Sequence, residues 1–192
     1  MEKVIKSSAK ALFGGSSMND IRFSPFPNLS TNRLILRQMH NDDKKAIFAL
    51  RSDKNVSEFI DRPIANSIDD ALEYIEMINN GIEQNKWILW AITFKDSDDL
   101  IGTICLWNFS MDQLKGEIGY ELSPIFQGKG IMQEALQTVI EFGFEDLNLR
   151  SIEGIVNEKN EKSIQLLEKN QFFKCEVIDE AKSTSIIYTL TR

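Results

Sequence analysis

A chain of 192 residues, 42% hydrophobic and 27% charged, has room for one domain with a sizeable core, and this composition excludes wholesale disorder. Its net charge of −7 argues against a nucleic-acid partner, because an acidic surface repels phosphate backbones. No apolar run reaches the ~18–20 residues needed to span a bilayer, and the first ten residues mix Glu, Lys and Ser through their apolar positions, unlike a signal peptide; no membrane partner and a cytoplasmic location are expected.

Residues 1–24 read as an N-terminal extension, with a short helix and a flexible Gly14-Gly15-Ser16-Ser17 hinge, ahead of a domain spanning 25–192. Arg33 to Arg37 predicts a short strand. Asn41 is placed to cap a helix running to about Ser52, with Asp42 and Asp43 near its positive end. Ser67-Ile68-Asp69-Asp70 reads like a capping box, and Ala71, Leu72, Ile75, Ile78 and Ile82 follow at helical spacing. Trp87 to Phe94 is a buried strand, Asp96 to Asp99 a turn, and Leu100 to Phe109 and Glu117 to Leu122 the next two strands. Gly130 to about Asp146 is a helix with Ile131, Ala135, Leu136, Val139 and Ile140 inward. A strand over Ser151 to Val156, a helix capped near Asn160 and running through Lys169, and a hairpin of Phe172 to Asp179 with Ser185 to Thr191 complete the chain. Antiparallel strands feeding a βαβ unit predict an α/β (α+β) fold, a mixed, mostly antiparallel sheet flanked by helices on both faces.

Familiar hydrolytic chemistry has little to work with. Cys105 and Cys175 lie far apart in apolar runs without CxxC spacing, which reads as buried structural thiols and predicts no metal site. The single histidine, His40, adjoins a helix start and reads as a surface or capping residue, so a Ser-His-Asp or Cys-His mechanism has no support. Trp87, Trp90, Trp107 and Phe109 either line an acceptor groove or belong to the core, and the core is the default for aromatics on strands.

The most informative stretch is Glu117 to Met132, EIGYELSPIFQGKGIM. A strand ends near Ser123, Pro124 stops the ladder, and a loop opens into a helix at Gly130. The first helical turn presents backbone N–H groups without internal partners, at the positive end of the dipole. An anion fits there. Gly128 and Gly130 let a phosphate approach the backbone, and Lys129 adds a cation. Neither a Walker A loop nor GxGxxG is present. These residues alone mark an anion site and leave open a simple glycine-containing turn.

About thirty residues on comes Asn157-Glu158-Lys159-Asn160-Glu161-Lys162-Ser163, leading to Leu167-Glu168-Lys169-Asn170-Gln171-Phe172. The pair resembles the GNAT superfamily of N-acetyltransferases, and most closely its RimJ/RimL-type branch, which acetylates ribosomal-protein N-termini. Gln127, Gly130 and Met132 match the spaced positions of the family's Q/R-x-x-G-x-G/A loop. Glu117-Ile118-Gly119-Tyr120, the N-x-x-N-x-x-S helix start, the opening Phe26 to Arg37 and the closing Tyr188-Thr189-Leu190 also match, so the likeness covers roughly 25–192. It departs from the family at Met132, where the loop motif ends in a small residue, and at Gln171, where the LEK-x-GF ending carries a glycine. Asn170 is expected to take that glycine's left-handed conformation instead.

The resemblance implies the acyl-CoA N-acyltransferase fold, with acetyl-CoA as cofactor. Backbone N–H groups from Gln127, Gly128, Lys129, Gly130, Ile131 and Met132 would hold the pyrophosphate. Tyr120, Glu121, Leu122 and Ser123 would run beside the pantetheine arm, and Asn160 would reach the cofactor from its helix. Glu117 matches the branch's strand glutamate and is the first choice for the base that deprotonates the amine, with Glu121 in reserve. Alternation places both on one strand face and Tyr120 on the other. Leu167 occupies the position where many members carry a tyrosine that protonates the leaving thiolate, and Ser163 is then the nearest hydroxyl. The implied acceptor is a protein N-terminus. A small-molecule amine, or a non-catalytic acyl-CoA-binding module, are the alternatives, in a monomer or homodimer.

Overall fold

The computed structural model describes residues 21–60, 62–110, 112–180 and 183–192. Most of the expected extension, residues 1–20, lies outside the described residues, as does the short helix expected there. The chain enters through Ile21 and Phe23, both buried in the core.

Eight strands form one sheet: β1 (Leu29–Ser30), β2 (Leu34–Arg37), β3 (Ile88–Phe94), β4 (Gly102–Ser110), β5 (Lys115–Leu122), β6 (Ser151–Asn157), β7 (Phe173–Glu180) and β8 (Ser183–Thr191). Their spatial order is β1-β2-β3-β4-β5-β6-β8-β7. Every neighbouring pair is antiparallel except β5 with β6. That parallel pair needs a crossover, which α4 (Ile131–Glu145) supplies. The other helices are α1 (Lys44–Ser52), α2 (Lys54–Ser57), α3 (Ile68–Glu83) and α5 (Glu161–Lys169).

Register divides the sheet into two faces. Ile88, Trp90, Ile104, Leu106, Ile118 and Tyr120 stand opposite one another on one face. There the Trp90 ring meets Phe142 of α4, and Gly143 admits Leu106 and Ile152 against the helix backbone. Leu89, Ala91, Thr103, Cys105, Trp107, Glu117, Gly119 and Glu121 occupy the other face, toward α1 and α3. The mixed sheet with helices on both faces is therefore as the sequence predicts.

Local chemistry explains the element ends and corrects several expectations. The first helix opens with a 3-10 turn, Asn41–Asp43, whose N-cap is His40 rather than Asn41. The His40 N–H donates to Asp43 Oδ2 at 2.9 Å, because Asp43 is also drawn in by Arg37 at 2.8 Å. Ser67 caps α3 as expected, accepting from the Asp70 N–H at 3.1 Å. Asp70 answers by accepting from the Asn66 N–H at 2.7 Å, one residue earlier than a standard capping box. Cys105 is half-buried, but Cys175 is exposed on the edge strand β7, against the expectation of two buried thiols. Trp90 belongs to the core, with its indole N–H donating to Pro27 O at 2.7 Å.

The end of α5 holds the clearest correction. Gln171, not Asn170, takes the left-handed conformation, with φ of +65° against −94° at Asn170. The Phe172 N–H donates to Leu167 O at 3.1 Å and the Gln171 N–H to Glu168 O at 2.9 Å, the two bonds of a Schellman ending. That geometry fixes which residue must be left-handed. Asn170 is used instead through its side chain, exchanging two amide bonds with Gln133 of α4 at 2.7 and 3.1 Å. A non-glycine residue at this φ costs about 1–2 kcal/mol. Gln171→Gly is therefore expected to raise unfolding free energy by about 1 kcal/mol, read by urea titration with an unchanged slope; an equal or lower midpoint would show that the strain is absorbed elsewhere.

Candidate active site

The loop before α4 turns on two left-handed glycines. Gly128 and Gly130 have φ of +74° and +72°. Glu134 supplies the first backbone N–H of the α4 ladder, bonded to Gly130 O at 3.1 Å. The N–H groups from Gly128 to Gln133 have no backbone partner among the described residues. Gly128, Lys129 and Gly130 are exposed, and a Cβ at Gly128 would meet nothing within 4 Å. A helix terminus with a run of N–H groups that lack backbone partners fits a phosphate group.

Two side chains brace this loop that the sequence did not single out. Arg33 of the β1–β2 turn donates from Nη1 to Lys129 O at 3.2 Å. Its Nε pairs with Glu134 Oε2 at 2.7 Å, while Glu134 Oε1 accepts from the Arg33 N–H at 2.8 Å and from the Thr31 hydroxyl at 2.5 Å. The edge of the sheet thus fixes the first turn of α4 and satisfies a loop carbonyl from behind. Lys162 of α5 is the second, donating to Gln127 Oε1 at 3.1 Å. With Lys129, these cations surround the loop.

From this loop a cleft runs into the sheet. β5 and β6 pair only from Lys115 with Ser151 to Glu117 with Glu153. Beyond Glu117 the strands part, while β5 stays paired to β4 as far as Leu122. The Gly119–Leu122 backbone therefore offers an edge toward the gap, crossed by the Gln127 amide, which donates to Leu122 O at 3.0 Å. An extended amide-bearing chain fits such an edge by adding backbone-type hydrogen bonds.

Glu117 sits where the strands diverge. Burial, reinforced by the nearby Glu153, pushes its carboxyl up to about 7. Lys115 is placed against Glu153, at 3.1 Å. A bulge in β4 between Trp107 and Ser110 places Asn108 at φ of +49°, where its amide donates to Glu117 Oε2 at 3.3 Å. Nothing in the sequence flags that bulge; Asn is one of the few residues that tolerates this φ. Trp107 is half-buried directly across from Glu117, the one aromatic candidate beside it.

The other candidates divide. Glu121, the reserve base, lies 2.6 Å from Arg62 Nη1 and accepts from the Thr103 hydroxyl at 3.3 Å. Its carboxylate is thus held in an ion pair by a guanidinium. On the opposite sheet face, the half-buried Ser163 hydroxyl lies beside the Tyr120 phenol, itself pushed up to about 12 by burial. Asn160 caps α5, accepting from the Ser163 N–H at 3.2 Å. Leu167 is 1% exposed and packs on Gly154, so this side chain is plain core.

Comparisons with known proteins identify the family. Residues 33–172 match the model of the Acetyltransferase (GNAT) domain. An uncharacterized N-acetyltransferase, YoaA of Bacillus subtilis (strain 168), is 36% identical over 149 residues, covering 78% of this chain and 84% of that protein. The uncharacterized N-acetyltransferase p20 of Bacillus licheniformis is 36% identical over 148 residues, covering 76% and 82%. Among solved structures, RimL, a ribosomal L7/L12 alpha-N-protein acetyltransferase in complex with coenzyme A, superposes with a TM-score of 0.77 over 86% of this chain and 98% of its own, at 16% identity, a likeness of fold. Among the described residues, no helix is long and apolar enough to cross a membrane. The chain belongs to the GNAT acetyltransferases, enzymes whose acetyl donor is acetyl-CoA.

Proposed function

We propose that this protein transfers an acetyl group from acetyl-CoA to a primary amine, with a protein N-terminus as first-choice acceptor. The observation that carries the reading is the parting of β5 and β6 at Glu117, with the N–H groups from Gly128 to Gln133, which lack backbone partners among the described residues, at the cleft's outer end. The loop would hold the pyrophosphate with Lys129, Arg33 and Lys162 nearby, and the Tyr120–Ser123 backbone would line the pantetheine arm. Bound there, acetyl-CoA supplies an activated acetyl thioester.

The chain's own groups then divide the proton chemistry between the two sheet faces. Glu117, raised to about 7, is half-ionised near neutral pH and strong enough as a base to take a proton from an amine of pKa near 8. Ser163 holds a hydroxyl on the opposite face beside Tyr120, placed to return a proton to the departing sulfur. A thiol of pKa near 8.5 also leaves tolerably as thiolate, so Leu167 does not rule out turnover.

Titration calorimetry with acetyl-CoA, followed by mass-spectrometric screening of peptide N-termini and small amines, tests the reading. A binding heat and a gain of one acetyl group on a primary amine are expected. No heat at millimolar acetyl-CoA would sink it, and binding without acetylation of any amine would favour a non-catalytic acyl-CoA module.

A further inference from the structure

Beside the proposed base lies a cluster of buried polar side chains that this chemistry does not use. Arg51 of α1, Arg62 of the segment before α3, Tyr74 of α3 and Glu121 of β5 are 8%, 8%, 5% and 7% exposed. Arg62 lies on Glu121 at 2.6 Å, with Nη2 at 3.5 Å from Leu50 O and from the Ser57 hydroxyl. The Arg51 guanidinium lies 3.8 Å from the centre of the Tyr74 ring. Two guanidiniums face one carboxylate, so one buried positive charge has no counter-charge in the cluster among the described residues.

Its donors are unmatched too. Among the described residues Arg51 Nη1 and Arg62 Nε have no hydrogen-bond acceptor, and the Tyr74 hydroxyl lies beside the Arg51 guanidinium. Burial pulls the Arg51 guanidinium below its ordinary value, but arginine keeps its proton in proteins. An unpaired buried charge is strongly unfavourable unless an acceptor meets it. The missing group has defined properties: negative, with at least two acceptor oxygens.

The position of the cluster says what could bring that group. Glu121 shares its strand face with Gly119 and Glu117. Cys105 stands opposite Gly119, between Trp107 and Thr103, and its thiol is pushed up first by burial and then by both Glu117 and Glu121. The cluster is therefore one side chain away from the base, about four residues or roughly 13 Å along the strand.

We infer that Arg51, Arg62 and Tyr74 form a carboxylate subsite for the acceptor, so that the amine to be acetylated belongs to a molecule bearing a carboxylate within about a strand segment's reach. This rests on the acetyltransferase reading above and narrows its substrate class. Two sources share that chemistry: a free amino acid or dipeptide, and a peptide N-terminus with an acidic residue near it. A polyamine, cationic throughout, is repelled by the same surplus charge.

Matched acceptors separate the possibilities. One arm compares alanyl-alanine, 4-aminobutyrate and 6-aminohexanoate with their carboxamides. The other compares C-terminally amidated tetrapeptides carrying Asp or Asn at the second or third position. In the arm that supplies the natural chemistry, the wild type is expected to favour the carboxylate by roughly 10- to 100-fold in kcat/KM, the range of one or two charge-assisted hydrogen bonds. Arg51→Met should bring that ratio to within about twofold, and Arg51→Lys should keep part of it. Saturation-transfer NMR on the protein saturated with coenzyme A reads binding without turnover and should show the carboxylate members bound by wild type and lost in Arg51→Met. Equal binding of both members by wild type, or a preference that survives Arg51→Met, overturns the subsite. Should Arg51→Met fail to bind acetyl-CoA, the Arg51→Lys ratio decides: a preference at the wild-type value or absent in both sources refutes it. Arg51-dependent carboxylate binding without any acetylation would keep the subsite and remove the acetyltransferase reading; acetylation indifferent to carboxylate would do the reverse.

Discussion

Glu117→Gln is expected to lower kcat/KM by about 10²–10⁴, the usual contribution of a positioned general base, with little change in acetyl-CoA affinity. The pH profile distinguishes this from a structural effect. A base works deprotonated, so wild-type activity should rise with pH, half-maximal near 7 where burial has raised the Glu117 carboxyl. The variant's residual activity should lack that limb. Stability should move the opposite way. Because the folded protein holds the Glu117 proton more tightly than the unfolded chain, the wild type loses stability as pH rises from about 4.5 to about 7, and the whole deficit is present above that. Glutamine carries no charge to bury, so the variant should match wild type near pH 4 and exceed it by up to about 3 kcal/mol at pH 8. Activity within twofold of wild type, or a retained limb near 7, would move the base elsewhere.

The same residue shows what the sequence can and cannot disclose. Its place on a strand, and the faces shared with Glu121 and opposed to Tyr120, follow from a period of two, and the register of β4 with β5 agrees. The glycine loop and the start of α4 at Gly130 were legible for a similar reason: glycines and an apolar stripe act locally. What would make Glu117 a base is not local. Its carboxyl is raised first by burial and then by Glu153, which only the parallel pairing of β6 brings near, while the Asn108 amide, which only a bulge turns toward it, pulls the other way. Arg33 is 96 residues from the loop carbonyl it holds, and Arg62 is 59 residues from Glu121. Such partners are set by strand order and helix packing, which no periodicity encodes. The misplaced left-handed residue at the end of α5 has another origin. Asn is the better residue for that conformation, but the Schellman bonds of Gln171 and Phe172 fix the position, and propensity yields.

Gly130→Val is expected to abolish detectable acetyl-CoA binding by calorimetry, and Gly130→Ala to weaken it by roughly 100-fold. The free protein has space for the new group: a Cβ at Gly130 would find Arg33 Nη2 at 3.6 Å, an ordinary contact. The penalty to folding therefore comes from φ alone, about 1–2 kcal/mol for alanine and more for a β-branched side chain. The penalty to binding is separate. Each charge-assisted hydrogen bond from a backbone N–H is worth about 1.5–3 kcal/mol, and a methyl group at the mouth of the loop keeps a phosphate from one or two of them. About 3 kcal/mol corresponds to the hundredfold expected for alanine. Gly128→Ala sharpens the test, since its Cβ would meet nothing within 4 Å in the free protein and its φ strain is similar. If strain alone mattered, both alanine variants would lose stability alike and keep their affinity for acetyl-CoA. If the loop holds the pyrophosphate, affinity falls in at least Gly130→Ala, and the remaining binding weakens with added salt, as contacts between exposed charges do. Undiminished affinity in Gly130→Ala would refute the loop as the diphosphate site, and with it the geometric argument that puts the reacting end of acetyl-CoA beside Glu117.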